Sequence, residues 1–245
     1  MNIKINRRLL VIVSFIICQL SFNSVAAQEL WITGSAVPGG VQKLVMGGDG
    51  DYKYAGTLKE GEVRIMTTKK AGKATRYLVP ILPDALIANK GLAYQETTDA
   101  KAATWQVPVT EDRYRFTVDT RNKVVRGEIF QPWGELFIGG GATENGWKEG
   151  KMQLMTQNLT NPFVWTWEGE LKRHPEYEEP TSFKFQGQDR WYPKNLHPYV
   201  QGADILTDTR LRIGGSDTKW ELSQDGRYRI TIDLLHETVK AEIVK

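Results

Sequence analysis

The segment DRWYPKNLHPYV, residues 189–200, places aromatic rings in a stretch that two prolines keep out of regular secondary structure. The rings belong to Trp191, Tyr192 and Tyr199. In such a segment an aromatic side chain either fills a core or lies on a loop where a ligand can reach it. A long loop that folds back and buries its own rings is therefore the alternative to a binding loop.

Hydrogen-bond donors accompany these rings. Arg190, Lys194 and Asn195 lie in the same segment, and Lys148 follows another loop tryptophan, Trp147. A flat ring beside fixed donors suits a sugar, because axial C–H groups pack on the ring face while the hydroxyls form directional hydrogen bonds. The residue types therefore predict a carbohydrate-binding surface. Its candidate residues are Trp191, Trp147, Tyr192, Lys194, Arg190 and Asn195.

An acidic segment offers a competing chemistry. HPEYEEP, residues 174–180, contains Glu176, Glu178 and Glu179, and a glycoside hydrolase needs two carboxyl groups held a few ångströms apart. Consecutive acids in a proline-bounded loop are, however, typical of a solvated hairpin tip. A small β-sandwich also has no deep cleft that would raise a carboxyl pKa. We therefore expect a protein that is not an enzyme.

The first 27 residues have the pattern of a leader. A basic start, an apolar run over residues 9–18 and SVAA before Gln28 predict a secretory signal peptide, residues 1–27, cleaved after Ala27. A lipid anchor at Cys18 is the alternative, although the bulky Ile17 precedes that cysteine. Either reading predicts export to the outer membrane, the cell surface or the periplasm.

The charge balance argues against nucleic acid as a partner. The leader holds three of the 32 basic residues and no acid, so 29 basic residues face 29 acidic ones in the rest of the chain. A neutral chain lacks the basic surface that nucleic-acid binding requires. His174, His197 and Glu176 lack the spacing of metal ligands. We expect neither a metal nor a cofactor.

The chain after the leader repeats itself. ELWITGSA (29–36) matches ELFIGGGA (135–142), and RYRFTVD (113–119) matches RYRITID (227–233). Apolar and polar residues alternate in these segments, and turn residues separate them, which predicts β-strands.

The repeat predicts the domain organisation. We expect an all-β chain of two tandem immunoglobulin-like β-sandwich domains. The first domain would span residues 28–131 and the second residues 134–245, with QPWG (131–134) as the linker.

Comparing the two copies separates structural rings from surplus ones, because a ring present at the same place in both copies serves their common core. The pairs assigned to the core are Trp31 and Phe137, Tyr54 and Trp167, Trp105 and Trp220, and Tyr114 and Tyr228. Rings present only in the second copy are candidates for binding. They are Trp147, Trp191, Tyr192 and Tyr199.

The second copy carries a family resemblance in ELFIGGGATENGW, VWTWEGELK, SFKFQGQDRW and DGRYRITIDLLHETVKAEIV. These segments resemble the SusE/SusF-type outer-membrane polysaccharide-binding proteins of Bacteroidetes, and the resemblance extends more weakly over the first copy. It implies non-catalytic starch-binding modules on an Ig-like sandwich that assist a glycan importer. It also implies that Trp147 and Trp191 contact the glycan.

The first copy lacks the turn tryptophan, so we expect the second to hold the ligand. The alternative function is an Ig-like structural or protein-interaction module of an outer-membrane complex, with the surplus rings forming an apolar patch for a protein partner.

Overall fold

The computed structural model describes residues 28–48, 50–82 and 91–245. The predicted signal peptide and its cleavage site, as well as the alternative anchor at Cys18, lie outside these residues. The described residues form strands, turns and loops without a helix, which confirms the all-β prediction. Within them, accordingly, no helix has the length and apolar character needed to cross a bilayer.

Ten strands lie between residues 31 and 129. They are β1 Trp31–Thr33, β2 Gln42–Lys43, β3 Val45–Met46, β4 Asp51–Leu58, β5 Gly61–Met66, β6 Tyr77–Pro80, β7 Leu92–Thr97, β8 Trp105–Val107, β9 Glu111–Asp119 and β10 Val124–Ile129. They form one sheet in the order β2-β1-β5-β6-β7-β10-β9-β4-β3, in which β8 pairs with β5. Alternation in β9 buries Tyr114, Phe116 and Val118 in the core of this half.

Eleven strands lie between residues 137 and 243. They are β11 Phe137–Gly139, β12 Gln153–Leu154, β13 Thr156–Gln157, β14 Val164–Leu171, β15 Ser182–Gln186, β16 Asn195–His197, β17 Ala203–Asp204, β18 Arg212–Ile213, β19 Trp220–Glu221, β20 Gly226–Asp233 and β21 Thr238–Ile243. They form a seven-stranded sheet around β12-β11-β15-β16-β18 and a four-stranded sheet, β13-β14-β20-β21. Side chains from both sheets share one core.

The two halves repeat the same backbone contacts. The N–H of Lys59 donates to the carbonyl of Ala36 at 2.8 Å, and the N–H of Lys172 donates to that of Ala142 at 3.1 Å. Each contact closes the glycine turn that follows the first strand of its half. In the second half the turn begins at Gly140.

We expect Gly140→Ala to lower the free energy of unfolding by about 2 kcal/mol or more. Gly140 has φ +150°, and an added Cβ would lie 2.5 Å from the Ser182 carbonyl oxygen and 2.8 Å from Phe183 Cβ. Gly39→Ala is the matched control, because Gly39 also has a positive φ, +73°, but an added Cβ meets nothing within 4 Å. It should cost about 1 kcal/mol. Equal losses in urea unfolding would contradict the crowding argument.

The rings shared by both copies are core residues with one exception. The buried members are Tyr54, Trp105, Tyr114, Phe137, Trp167, Trp220 and Tyr228. Trp31 is only partly buried and packs beside a small separate cluster. The prediction that a ring present in both copies belongs to the core is therefore confirmed for seven of the eight residues.

One aromatic prediction is wrong, the placement of Tyr199 among the binding rings. Trp133, which lies in the predicted linker, is buried in the core of the second half. Tyr199, placed among the binding rings, is also buried. Its ring lies so close to the backbone of Gly47 and Gly48 that a Cβ on Gly48 would come within 2.7 Å of it.

Tyr199 belongs to a contact between the two halves. Lys53 forms an ion pair with Glu237, and Arg115 lies 3.3 Å from the same carboxylate. The Arg210 guanidinium donates to the Gly47 carbonyl at 3.0 Å. A ring wedged between two halves of the same chain is unavailable to a ligand, which removes Tyr199 from the candidate site.

Candidate functional site

Two loops of the second half bring Trp147 and Trp191 together. Loop 140–152 connects β11 to β12, and loop 187–194 connects β15 to β16. The two ring centroids lie 5.8 Å apart, and the ring planes meet at 44°. Both side chains are partly exposed. We refer to these two residues as the tryptophan pair.

Hydrogen bonds join the two loops to each other. The backbone N–H of Trp191 donates to Glu149 Oε1 at 2.8 Å, and the N–H of Met152 donates to Asp189 Oδ1 at 3.2 Å. The N–H of Gly150 donates to the Asp189 carbonyl at 3.3 Å. Each loop therefore contributes one carboxylate that accepts a backbone N–H of the other.

A third loop, residues 172–181, contacts Trp147 and its loop through hydrogen bonds. The Trp147 Nε1–H donates to the Glu178 carbonyl at 2.7 Å. The Tyr177 hydroxyl donates to the Glu144 carbonyl at 2.7 Å, and its ring lies against Gly146. The acidic segment 174–180, predicted to be a solvated hairpin tip, thus packs against loop 140–152 through Tyr177 while its Glu176 and Glu178 side chains are exposed.

Two lysines face the tryptophan pair. Lys184 Nζ lies 5.1 Å from the Trp191 ring centroid, and Lys219 Nζ lies 5.6 Å from that of Trp147. Both distances are within the range of a cation–π interaction. Asp217 connects the two ammonium groups, at 2.8 Å from Lys184 and 3.5 Å from Lys219.

The charges of this cluster balance. Glu179 lies 3.2 Å from Lys219 Nζ, so Lys184 and Lys219 face two carboxylates, those of Glu179 and Asp217. The Lys184 side chain is 6% exposed and the Lys219 side chain 17%. Buried cations paired in this way hold a fixed position and present no net charge to a ligand.

The electrostatic surroundings keep Asp217 and Lys219 charged near neutral pH. Burial opposes ionisation of Asp217, but the hydrogen bond from Lys184 and both lysine charges lower its pKa below 3.8. Burial likewise opposes the charge of Lys219, but Glu179 and Asp217 raise its pKa above 10.5. Burial lowers the pKa of His197 below 6.5.

Some predicted site residues share the loop of Trp191. Arg190 is exposed there, and the Tyr192 side chain is 73% exposed. Lys194 is also exposed, but its Nζ lies 5.7 Å from the Trp133 ring, at the end of the loop. Trp147, Trp191, Arg190 and Tyr192 are therefore all at least partly exposed.

The prediction that Asn195 lies on the loop is wrong. Strand β16 begins at this residue, which pairs with Gln186 of β15, and its side chain is 6% exposed. Asn195 Oδ1 and both polar side-chain atoms of Gln186 have no hydrogen-bond partner within the described residues. The Asn195 amide is thus covered and does not face the solvent.

Sequence reasoning missed Lys184, Lys219 and Asp217. The alternation FKF over residues 183–185 was the available signal for Lys184, because it directs the lysine away from the face that buries Phe183 and Phe185. Asp217 and Lys219 follow β18 in a segment without periodicity, and only the folded chain brings them to the tryptophan pair. The described residues contain no group of three or more His, Cys, Asp or Glu arranged to hold a metal ion.

Comparison with solved structures gives a distant similarity. No family model matches the chain, and no curated protein matches it. The solved structure of SusF from Bacteroides thetaiotaomicron is similar, with 14% sequence identity and a TM-score of 0.36. The match covers 87% of this chain and 47% of the SusF chain, so the present chain spans about half of that protein. A similarity of this size assigns neither a family nor a function.

Proposed function

We propose that the protein binds polysaccharide without catalysis, through the tryptophan pair on the second of two tandem Ig-like β-sandwich domains. One observation carries the proposal: two partly exposed indole rings from different loops lie 5.8 Å apart at 44°, each beside a lysine. Two rings set at an angle on neighbouring loops form a platform of two differently oriented faces. Such a platform suits consecutive sugars of a curved chain, such as an α-glucan.

The expected affinity is modest. Each ring face that a sugar covers contributes about 1.5–3 kcal/mol. Exposed hydrogen bonds, for example from Arg190, add about 0.5–1.5 kcal/mol each. After the cost of association, these sums correspond to dissociation constants in the micromolar to millimolar range. Weak sites of this kind hold a polymer through repeated contacts, which suits an exported protein that supplies a glycan importer.

Three acids near the site, Glu176, Glu179 and Asp217, have environments that favour binding over hydrolysis. A glycosidase needs a carboxyl group whose pKa is raised so that it carries a proton near neutral pH. The pKa of Glu176 is instead lowered, by a backbone hydrogen bond and by His174. Glu179 and Asp217 form ion pairs with Lys219. Acids held in these ways suit a structural role.

Glycan binding should be almost independent of pH between about pH 7 and 9. In this interval Asp217 is above its lowered pKa and stays ionised, while Lys219 is below its raised pKa and stays protonated. His197, with its lowered pKa, stays neutral. Isothermal titration with a soluble glucan at several pH values measures this. A tenfold change within the interval would show that another titrating group controls binding.

Incubation of the protein with insoluble and soluble α-glucans and other polysaccharides tests the proposal. We expect depletion of the protein from solution by at least one glycan without release of reducing ends. Release of reducing ends would identify an enzyme. Neither depletion nor release by any glycan would contradict the proposal and favour the protein-interaction module.

Trp31→Ala is the matched control for this assay. Trp31 is a partly exposed tryptophan of the first half with two ammonium groups near its ring, those of Lys43 at 5.8 Å and Lys69 at 5.7 Å. It has a similar environment, but no other indole contacts it within the described part of the chain. Its replacement should leave glycan retention unchanged.

A further inference from the structure

We infer that Glu149 and Asp189 are positioning residues that set the distance and angle within the tryptophan pair. They do so by accepting backbone N–H groups across the gap between loops 140–152 and 187–194. The consequence for ligand binding rests on the proposed function. The effect on ring geometry does not, and it can be measured without a ligand.

Each loop is braced separately. Loop 187–194 closes on itself, because the Gln188 side chain donates to the Arg190 and Lys194 carbonyls and accepts the Lys194 N–H. Loop 140–152 is attached to the third loop through Trp147 and Tyr177. These contacts fix each tryptophan within its own loop, but they do not fix one ring relative to the other.

Three hydrogen bonds connect the two loops within the described residues, and Glu149 and Asp189 take part in all of them. Glu149 accepts the N–H of Trp191 itself at 2.8 Å. Asp189 accepts the N–H of Met152 at 3.2 Å with its carboxylate and that of Gly150 at 3.3 Å with its carbonyl. A carboxylate that accepts a backbone N–H forms a stronger bond than a neutral acceptor does.

The arrangement is reciprocal, which constrains both translation and rotation of the loops. One carboxylate lies two residues after Trp147 and the other two residues before Trp191. A single bond would leave the loops free to turn about it, whereas two bonds in opposite directions hold them side by side. The corresponding turn of the first half, AVPGGVQK (residues 36–43), contains no acid.

The ring geometry has a spectroscopic signature. Indole rings 5.8 Å apart at an angle of 44° couple their strong ultraviolet transitions and produce a couplet in the circular dichroism spectrum. Trp147 and Trp191 make the only indole–indole contact among the described residues. The part of the couplet that Trp147→Ala removes is therefore assigned to this pair.

The experiment compares Glu149→Ala and Asp189→Ala with Glu149→Gln in the full chain. We expect each alanine variant to lose about half or more of the couplet, and glycan affinity to fall on the order of tenfold because the site is no longer preorganised. Glu149→Gln, whose amide oxygen still accepts the Trp191 N–H, should recover most of both signals. Glu144→Ala, which removes an exposed acid of the same loop, should change neither.

The outcomes separate the two claims. An unchanged couplet in both alanine variants would overturn the positioning role, whatever the glycan data show. A lost couplet with unchanged glycan affinity would support the positioning role and contradict the proposed site. Unfolding curves that match the wild type show that an altered couplet reflects the loops and not the fold. If Glu149→Ala unfolds, the pair Asp189→Ala and Asp189→Asn makes the same comparison on the other carboxylate.

Discussion

Simultaneous replacement of Trp147 and Trp191 by alanine is expected to abolish glycan retention while the protein remains folded. Each ring contributes about 1.5–3 kcal/mol to binding if a sugar covers its face. Since about 1.4 kcal/mol is a tenfold change in affinity, each single substitution should weaken binding roughly 10–100-fold. Two such losses move a micromolar-to-millimolar ligand beyond detection in an affinity gel.

The cost in stability should be small by comparison. Both rings are partly exposed and lie on loops outside the core of the second half. Each single change should lower the free energy of unfolding by about 1–2 kcal/mol, including the loss of the hydrogen bond from Trp147 to the Glu178 carbonyl. Affinity electrophoresis and urea unfolding of the same samples measure both effects. Retention that survives the double substitution would refute the assignment of the site.

Trp220→Ala should have the opposite profile. Trp220 is 0% exposed, and its ring centroid lies 5.1 Å from that of Phe185 and 6.4 Å from that of Phe183. Deletion of a buried indole leaves a cavity, so the free energy of unfolding should fall by about 3–5 kcal/mol. Because the site loops lie outside this core, variant molecules that remain folded should retain their glycan affinity.

Trp105→Ala is the matched variant in the first half, where the equivalent ring is also 0% exposed. A similar loss of stability is expected there. Urea denaturation followed by circular dichroism gives both values. A change below about 1 kcal/mol in either variant would undercut the rule that rings shared by both copies are core residues.

The core of each half could be predicted because alternation within a strand and repetition between the halves both indicate which side chains face the core. Tyr114 and Tyr228, for example, occupy matching strands, point to the same face and are both buried. Periodicity of two fixes which side chains leave the sheet on one side. The agreement of two copies then removes the ambiguity that a single strand would leave.

The site was predicted only in part, because the periodicity of apolar residues along the sequence does not indicate which loops contact each other. Trp147 and Trp191 stood out as surplus rings, but Asp217 and Lys219 reach them only through the fold. Tyr199 is the opposite case, a residue predicted to bind that the fold buries. It is also a surplus ring, yet it packs between the two halves, a contact that comparison of the copies cannot reveal.

The prediction that Asn195 lies on the loop was wrong for a local reason. The prolines at 193 and 198 suggested one continuous loop, whereas a short strand fits between them and pairs with β15. A strand of three residues is too short to show periodicity.

The most direct test of the binding surface follows the indole N–H signals of the ¹⁵N-labelled protein during titration with a soluble α-glucan oligosaccharide. Single tryptophan substitutions assign the signals. We predict that the signals of Trp147 and Trp191 shift progressively and saturate together, while those of the buried Trp105, Trp165 and Trp220 remain in place. Saturable shifts confined to tryptophans other than Trp147 and Trp191 would contradict the account.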